Sequence, residues 1–325
     1  MIIVFGSNIL DEFFEMQSLD IFTNKSGEDA LHLPTHTEAP GGKGANQAVA
    51  AAKAGGDVRF FGAVGDGGHG RALIQNFQNH GINTTGILLS QNHPTGVAAI
   101  FNLPGGKHKI VVSQGANADA KQSQVPDELL TSKTLLLLQA ELNPVENEGL
   151  MKRASAAGAR IILNIAPAKP VSEGALKCVD YLVVNEAEAE ATMKNLGVSY
   201  VDAHNAALYL AKRFNLHAII TLGEKGALAI APSDLTKSIQ VPTLAIKAVD
   251  SVGAGDAFCG ALAAAVDKNM PFADCLRRAA VAGALACTKI GAQSALPSAA
   301  EIDKHLSQLP NIVINTLQNA AINAA

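Results

Sequence analysis

The chain has 325 residues, of which 48% are hydrophobic and 17% charged, and its formal net charge at pH 7 is −4. This length and apolar content allow a large buried core, in one big domain or in one domain with a small appendage. A polyanionic partner needs a concentrated basic face, whereas the 25 lysine and arginine residues are spread along the chain. We therefore expect no nucleic-acid partner.

The amino-terminal segment and the cysteines indicate the compartment. The first apolar run, Met1–Phe5, is short and lacks a basic region, and no uncharged stretch is long enough to span a membrane. We therefore expect neither a signal peptide nor a membrane partner. The four cysteines show no CxxC spacing and are interpreted as buried, reduced thiols. Together these features predict a cytoplasmic protein.

Short apolar runs alternate with helical patterns along most of the chain. The apolar runs predict strands at Ile2–Phe5, Val58–Ala63, Thr134–Gln139, Arg160–Asn164, Tyr181–Asn185 and Ala218–Leu222. Helices, each followed by a glycine suited to a left-handed C-terminal residue, are predicted at Ala45–Ala54, Gly70–His80 and Pro144–Ala157. This alternation predicts an α/β fold, with a mainly parallel central sheet covered by helices on both faces.

Two segments interrupt this alternation. One contains two strand patterns, Glu12–Met16 and Leu31–Thr37, and the other contains a hairpin pattern, Val97–Leu103 and Lys107–Ser113. Four such strands could form a small β-sheet lid over the strand ends of the central sheet, where open α/β sheets bind ligands. We therefore divide the chain into a core of residues 1–8, 40–95 and 114–310, a lid of residues 9–39 and 96–113, and an unassigned tail of residues 311–325.

The strongest chemical signal is the glycine-rich turn that ends at Asp256. A strand-like run, Leu244–Val249, leads into Gly253-Ala254-Gly255, and an apolar helix is predicted over Asp256–Lys268. Amides at a helix N-terminus are unpaired donors that stabilise the charge on a transferring phosphoryl group. A carboxylate beside them could accept the proton of a hydroxyl. The alternative is a capping aspartate after a flexible turn, but the strand, turn and buried helix together favour catalysis.

A second glycine-rich segment, Gly41–Gln47, precedes an alanine-rich helix. Its glycines allow the backbone to approach a small polar ligand, and Lys43 and Asn46 can point the same way from the first helical turn. The alternative is a plain loop with a solvated lysine. The G-x-x-x-x-G-K-[ST] phosphate loop is absent, and no G-x-G-x-x-G fingerprint follows the first strand, which argues against NAD binding.

Acidic residues follow three of the predicted strands. Asn185 and Glu188 come directly after the apolar run Tyr181–Val184 and could bind a hydrated Mg²⁺ that serves nucleotide phosphates. The helix dipole offers an alternative explanation for acidic residues in a first helical turn. Asp11 and Glu141 also follow apolar runs, where a single acid is as often structural. The nine histidines show no metal-ligand spacing.

Taken together, these motifs closely resemble those of the ribokinase family of carbohydrate kinases, and the resemblance covers nearly the whole chain. The family's sugar-binding sequence G-G-K-G-A-N-Q is present without a change. The matching motifs, in chain order, are G-S-x-x-x-D at Gly6–Asp11, G-G-K-G-A-N-Q at Gly41–Gln47, N-x-x-E at Asn185–Glu188, T-L-G-x-x-G at Thr221–Gly226 and D-T-x-[AG]-A-G-D at Asp250–Asp256.

The resemblance implies a ribokinase-like fold, an ATP-dependent sugar kinase activity and a homodimer formed through the lid. Asp256 would be the base, and the anion hole would be formed by the amides of Gly253, Ala254 and Gly255. The sugar would be bound by Asp11, Gly42, Lys43, Asn46, Glu141 and Asp256. ATP would be bound by Asn185, Glu188, Thr221, Gly223 and Gly226, with Glu188 binding Mg²⁺ through water. An activating K⁺ would be bound by Asp250 and the carbonyls of Val252, Ala286, Lys289 and Gly291.

The leading hypothesis is that the protein phosphorylates the primary hydroxyl of ribose or a related pentose. The alternatives are a nucleoside or hexose kinase of the same family, or a sugar-sensing protein that binds without turnover. Three departures from the family pattern bear on the ligands. Ile9 replaces a usual asparagine, the lid motif P-G-E-T is missing from residues 17–39, and Ala295 replaces a serine near the cation site.

Overall fold

The computed structural model describes residues 1–15, 36–103 and 107–316. The strands are β1 (Ile2–Phe5), β2 (Ile9–Glu15), β3 (His36–Gly41), β4 (Val58–Gly65), β5 (Asn83–Ser90), β6 (Gly96–Leu103), β7 (Lys107–Ser113), β8 (Leu135–Gln139), β9 (Arg160–Asn164), β10 (Tyr181–Asn185), β11 (His217–Thr221), β12 (Ala227–Ile230), β13 (Lys237–Val241) and β14 (Val313–Thr316). The helices are α1 (Lys43–Lys53), α2 (Gly68–Asn79), α3 (Pro144–Ala156), α4 (Glu173–Leu176), α5 (Glu186–Asn195), α6 (Ala203–Phe214), α7 (Ala254–Asp267), α8 (Phe272–Ala286) and α9 (Ala299–His305).

The central sheet has the strand order β14-β13-β12-β11-β10-β9-β8-β1-β4-β5. Its neighbours from β5 to β11 pair in parallel, and β12, β13 and β14 extend it with antiparallel pairs. Strands β1, β9 and β10 begin and end at the residues predicted from the sequence. The prediction of a mainly parallel α/β sheet is therefore confirmed.

Helices cover both faces of this sheet because successive side chains of a strand point to opposite sides. Ile2 and Val4 pack into a core with α1, α7 and α8, whereas Ile3 and Phe5 pack into a second core with α3, α5 and α6. The run Leu135–Leu138 in β8 is fully buried, as predicted for a strand covered on both faces. Helices α1 and α7 pack closely because Gly260 lies against Ala50, where a Cβ would come within 2.4 Å of the Ala50 Cβ.

A separate four-stranded sheet has the order β3-β2-β6-β7, which confirms the predicted small lid sheet. Strands β2 and β6 are parallel, and the other two pairs are antiparallel. Strand β2 starts earlier than the predicted Glu12–Met16. The predicted Leu31–Thr37 and the hairpin turn at 104–106 lie largely outside the described residues. Strand β3 extends to Gly41. The division of the chain into core and lid stays a prediction.

Two sequence predictions need correction, and one unassigned segment gains a structure. Leu244–Val249 forms no strand. At its end, the amides of Val249 and Asp250 both donate to the Cys287 carbonyl (2.8 and 3.3 Å). Helix α7 begins at Ala254 and not at Asp256. Part of the unassigned tail, Val313–Thr316, is an edge strand paired with β13.

The cysteines differ in their exposure to solvent. All four cysteines are free thiols, but only Cys259 and Cys275 are buried, while Cys178 and Cys287 are partly exposed. The prediction that the cysteines are buried is therefore wrong for two of them. Among the described helices, none combines the length and apolar character needed to cross a membrane.

Candidate active site

Side chains from several elements meet at the carboxyl-end edge of the central sheet. The side chain of Asn46 in α1 donates to the Asp256 carboxylate in α7 at 3.0 Å. The backbone amide of Lys43, which starts α1, donates to the Glu141 carboxylate after β8 at 2.9 Å. Asp11 in β2 is close enough to Glu141 and Asp256 for both to raise its pKa. The residues predicted to bind the sugar and to act as base are thus brought together.

Asp256 is the third residue of α7 and is 7% exposed. Its two oxygens accept hydrogen bonds from the side-chain amides of Asn46 (3.0 Å) and Gln47 (2.9 Å). Burial raises the pKa of Asp256, and Lys43 and the two amide donors act in the opposite direction. A buried carboxylate with a raised pKa is a better proton acceptor than an ordinary surface aspartate.

Lys43 is the positive charge at the centre of this group. Burial lowers the pKa of its ammonium, but the surrounding carboxylates of Asp256, Glu141 and Glu188 keep the pKa above its usual value. Lys43 is therefore charged at neutral pH and can bind an anionic or hydroxyl oxygen.

Glu141 joins the end of β1 to the start of α1. Its Oε2 accepts a hydrogen bond from the Ser7 hydroxyl and another from the Lys43 backbone amide (2.9 Å). Glu141 therefore has a structural role in addition to the sugar contact predicted for it.

The Asp11 carboxylate lies directly against Gly41, so a side chain at position 41 would displace it. A Cβ on Gly41 would come within 2.1 to 2.4 Å of the Asp11 carboxylate atoms. Gly42, the residue before α1, has a φ of +91°, a conformation that also favours glycine. Burial, with Glu141 and Asp256, raises the pKa of Asp11 to about 7, and Lys43 opposes this shift.

The turn before α7 has the features expected of an anion hole, with one exception. Gly253 has a φ of +77°, and the space around Gly255 is open, since a Cβ there would meet nothing within 4 Å. Within the described residues, the amides of Gly253 and Gly255 donate to no backbone carbonyl, whereas the Ala254 amide donates to the Ser251 carbonyl at 3.3 Å. Two of the three predicted amides are therefore available to a ligand.

Asn185 and Glu188 cap α5 reciprocally. The Asn185 side chain accepts from the Glu188 amide (2.8 Å), and the Glu188 carboxylate accepts from the Asn185 amide (2.9 Å). This capping box explains both residues without a nucleotide. Burial raises the pKa of Glu188, while the Asn185 amide and Lys43 lower it. Glu188 is thus also part of the charged group around Lys43.

Thr221 and the loop that follows it lie beside Asn185, because β10 and β11 pair in register at Asn185 and Thr221. Gly223 and Gly226 have φ values of +58° and +88°. A Cβ on Gly226 would come within 2.0 Å of the Val241 carbonyl oxygen, so this position requires glycine for packing. The two motifs predicted to bind ATP are therefore neighbours at one edge of the sheet.

Asp250 connects the turn before α7 to the loop that follows α8. Its carboxylate accepts from the amides of Val252 (3.0 Å) and Gly291 (2.9 Å). No described residue donates a backbone hydrogen bond to the four carbonyls predicted as cation ligands, those of Val252, Ala286, Lys289 and Gly291. Neutral carbonyl oxygens beside one carboxylate are a donor set that suits a monovalent cation.

The sequence analysis missed a group of buried amides around Asp256. Gln47, Gln139, Asn164 and Gln293 are each at most 8% exposed. Gln47 is hydrogen-bonded to Gln139, Asn164 and Asp256, whereas Gln293 is hydrogen-bonded to Asn46. A polar residue ending an apolar strand, such as Gln139 after four leucines, was the available signal in the sequence.

The fold and this site define a carbohydrate kinase, and the chain belongs to the pfkB family of carbohydrate kinases, whose sequence model matches residues 4–299. Ribokinase from Bacillus subtilis is 34% identical over 285 residues, covering 87% of this chain and 92% of the relative. Deoxyribokinase from Salmonella typhimurium is 32% identical over 312 residues, covering 94% of this chain and 98% of the relative.

Solved structures give the same assignment. Ribokinase from Thermotoga maritima superposes with a TM-score of 0.85 at 31% identity, covering 94% of this chain and 99% of that one. Ribokinase from Arabidopsis thaliana, solved with ribose and ATP, gives a TM-score of 0.84 at 28% identity, covering 94% and 98%.

Proposed function

We propose that the protein transfers the γ-phosphoryl group of ATP to the primary hydroxyl of ribose or a related pentose. The observation that carries this proposal is the position of Asp256, a buried carboxylate beside the open amides at the start of α7 and among polar side chains suited to a sugar. The relatives named ribokinase and deoxyribokinase, and the relative solved with ribose and ATP, support a pentose and ATP as substrates.

In this reaction the sugar hydroxyl lies between Asp256 and the γ-phosphorus, in line with the leaving ADP. Asp256 accepts the hydroxyl proton as the new oxygen–phosphorus bond forms and the bond to ADP breaks. The amides of Gly253, Ala254 and Gly255 stabilise the charge on the transferring group. The Ala254 amide must first release the Ser251 carbonyl, which it contacts at 3.3 Å.

The remaining sugar hydroxyls are bound by residues around Lys43. Its ammonium donates to sugar oxygens, the carboxylates accept from hydroxyls, and the backbone at Gly42 allows close approach. This group consists of Asp11, Gly42, Lys43, Asn46 and Glu141. Ile9 is 6% exposed and lies two residues before Asp11 on the same face of β2. Because its side chain is apolar, Ile9 offers the sugar no hydrogen bond.

The nucleotide and the two metal ions would be bound by residues next to the sugar-binding group. Asn185, Glu188, Thr221, Gly223 and Gly226 would line the ATP site, and Glu188 would hold Mg²⁺ through water. The carbonyls of Val252, Ala286, Lys289 and Gly291 would hold K⁺ together with Asp250. These ions would supply positive charge to the phosphates and to the turn before α7.

A kinetic panel tests this function. ADP release is measured with ribose, 2-deoxyribose, hexoses and nucleosides, and we expect the highest kcat/KM with a pentose. The highest kcat/KM on a nucleoside or a hexose would instead identify a nucleoside kinase or a hexose kinase. Sugar binding without turnover on every compound would identify a sensor.

The Asp256→Asn variant tests the base. We expect kcat to fall by about 10²–10⁴-fold, while the dissociation constants of sugar and ATP stay within a few-fold of the wild type. A variant kcat within a few-fold of the wild-type value would remove Asp256 from this role.

A further inference from the structure

Two chains of side-chain amides end on the Asp256 carboxylate, one on each oxygen. In the first chain, Asn76 in α2 donates to Gln293 (2.8 Å), Gln293 donates to Asn46 (3.1 Å), and Asn46 donates to Asp256 Oδ2 (3.0 Å). Asn46 is itself a proposed sugar ligand. A substitution there would therefore change sugar binding as well as the position of Asp256.

The second chain contains no residue that a sugar can reach. Gln139 at the end of β8 donates to Gln47 (2.8 Å), and Gln47 donates to Asp256 Oδ1 (2.9 Å). Gln47 is 0% and Gln139 1% exposed. Any influence of Gln47 on catalysis is therefore indirect, and its hydrogen bond to Asp256 is the direct link to the proposed base.

The direction of the Gln47 hydrogen bonds is fixed by a backbone carbonyl. The Asn164 side chain donates to the Val183 carbonyl (2.9 Å), and a carbonyl can only accept. Asn164 must then present its oxygen to Gln47, whose Nε2 donates to it at 2.9 Å. A flipped Gln47 would place its oxygen against the oxygens of both Asn164 and Asp256. The NH₂ group of Gln47 is therefore held facing the carboxylate.

We propose that Gln47 is a positioning residue that keeps Asp256 ionised and oriented as the base of the phosphoryl transfer. The proposal rests on the function proposed above. Both groups that contact the carboxylate are N–H donors. Because hydrogen bonds to an ionised acceptor are stronger than those to a neutral one, both donors favour the ionised form of Asp256. With one lone pair of each oxygen occupied by an amide, the remaining lone pairs can face the hydroxyl.

Other charged groups also face Asp256, and the Gln47 variants leave them unchanged. Lys43 from α1 favours the ionised carboxylate, whereas Glu141 after β8 disfavours it. The remaining titratable groups that interact with Asp256 are Asp11 from the lid, Glu188 from α5 and the Cys259 thiol one turn further along α7. A change in the titration of Asp256 between the wild type and a Gln47 variant therefore reports the lost amide.

The test is a carbon NMR titration of protein labelled at the aspartate carboxyl carbons. The Asp256 signal is assigned by its loss in Asp256→Asn. Gln47→Met keeps the approximate volume and removes the donor, and we expect the Asp256 midpoint to rise by about one pH unit or more. The acid limb of kcat should move by the same amount, and kcat should recover towards the wild-type value above the new midpoint.

A second variant tests the orientation of Gln47, and a control variant tests for general loss of stability. Asn164→Leu frees Gln47 to flip without touching Asp256, and we expect a smaller rise of the midpoint. Asn147→Leu removes another buried amide, which donates to the Gln139 carbonyl at 2.7 Å, and should lower the melting temperature without moving the midpoint.

An unchanged midpoint in folded Gln47→Met and Asn164→Leu would overturn the inference. The titration needs no substrate. A protein inactive on every sugar would therefore refute the proposed function while this inference could still be decided.

Discussion

Among the individual residues, Asp11 couples stability to sugar binding. Its pKa in the folded protein is raised to about 7, chiefly by burial. Well below the ordinary aspartate pKa of about 3.9, the carboxyl is protonated in both the folded and the unfolded chain. As pH rises, the unfolded chain loses this proton first, so the folded state loses stability up to about pH 7 and stays at the lower level above it.

We therefore expect Asp11→Asn to raise the melting temperature by a few degrees at pH 8, with the difference shrinking towards pH 4. Scanning calorimetry across this range measures it. The same variant should raise the KM for the sugar, because the carboxylate is lost. A lower melting temperature than the wild type at pH 8 would contradict the prediction.

Glu301 provides a control of opposite sign. Hydrogen bonds from the backbone and side chain of Ser298 lower its pKa to about 2. Its stabilising effect is present above the pKa of the unfolded chain and is lost as pH falls through about 2. Glu301→Gln should therefore lower the melting temperature at pH 8.

Variants at Lys43 and Glu141 test whether these residues bind the sugar or the nucleotide. If they bind the sugar, Lys43→Ala and Glu141→Ala should raise the KM for the sugar far more than the KM for ATP. Glu141→Ala should also lower the free energy of unfolding by about 1–3 kcal/mol, since it leaves Ser7 and the Lys43 amide without their acceptor. Equal changes in both KM values would assign these residues to the nucleotide or to the fold.

At the scale of elements, Asp250 ties two loops together. Its hydrogen bonds to the amides of Val252 and Gly291 connect the turn before α7 with the loop after α8. These bonds alone would explain Asp250 as a structural residue that accepts backbone amides, with no ion present. Separately, no backbone amide among the described residues donates to the carbonyls of Val252, Ala286, Lys289 and Gly291. A cation bound there would not touch the substrate, and it would act by fixing the turn.

Initial rates in K⁺ and in an equal concentration of a large organic cation test this proposal at constant ionic strength. We expect kcat to be several-fold higher in K⁺, and we expect Asp250→Ala to abolish the difference. Asp250→Ala also removes two hydrogen bonds, so Asp250→Asn, which retains an acceptor, serves as the matched variant. Equal wild-type rates in both salts would exclude activation by K⁺.

At the scale of the whole molecule, the lid presents an apolar edge. Ile110, Val111 and Val112 in β7, the edge strand of the lid sheet, are 51%, 64% and 54% exposed. Three consecutive exposed apolar residues on an edge strand favour pairing with another sheet. We propose that this edge forms the homodimer contact with a second copy of the chain.

Light scattering coupled to size-exclusion chromatography measures the assembly. We expect a dimeric wild type and a monomeric Val111→Lys, because a charge at the interface would be buried without a partner. Leu89→Lys, on the edge strand β5 of the central sheet and 43% exposed, is the control and should leave the dimer intact. A monomeric wild type would refute the proposed interface.

The sequence by itself determined the features that depend on neighbouring residues. Short apolar runs specified β1, β9 and β10 to the residue, and the alternation of strands and helices specified the class of sheet. Motifs such as Gly253–Asp256 were recognisable because the chemistry needs those residue types at that spacing.

Only the tertiary structure decided the features that depend on distant partners. The apolar run Leu244–Val249 suits a strand, yet its end is bonded to the Cys287 carbonyl instead. The amide of Gln47 meets Asp256 across 209 positions, and Gln293 meets Asn46 across 247. No local pattern encodes such contacts, because they arise only when parallel strands bring their carboxyl ends to one edge of the sheet.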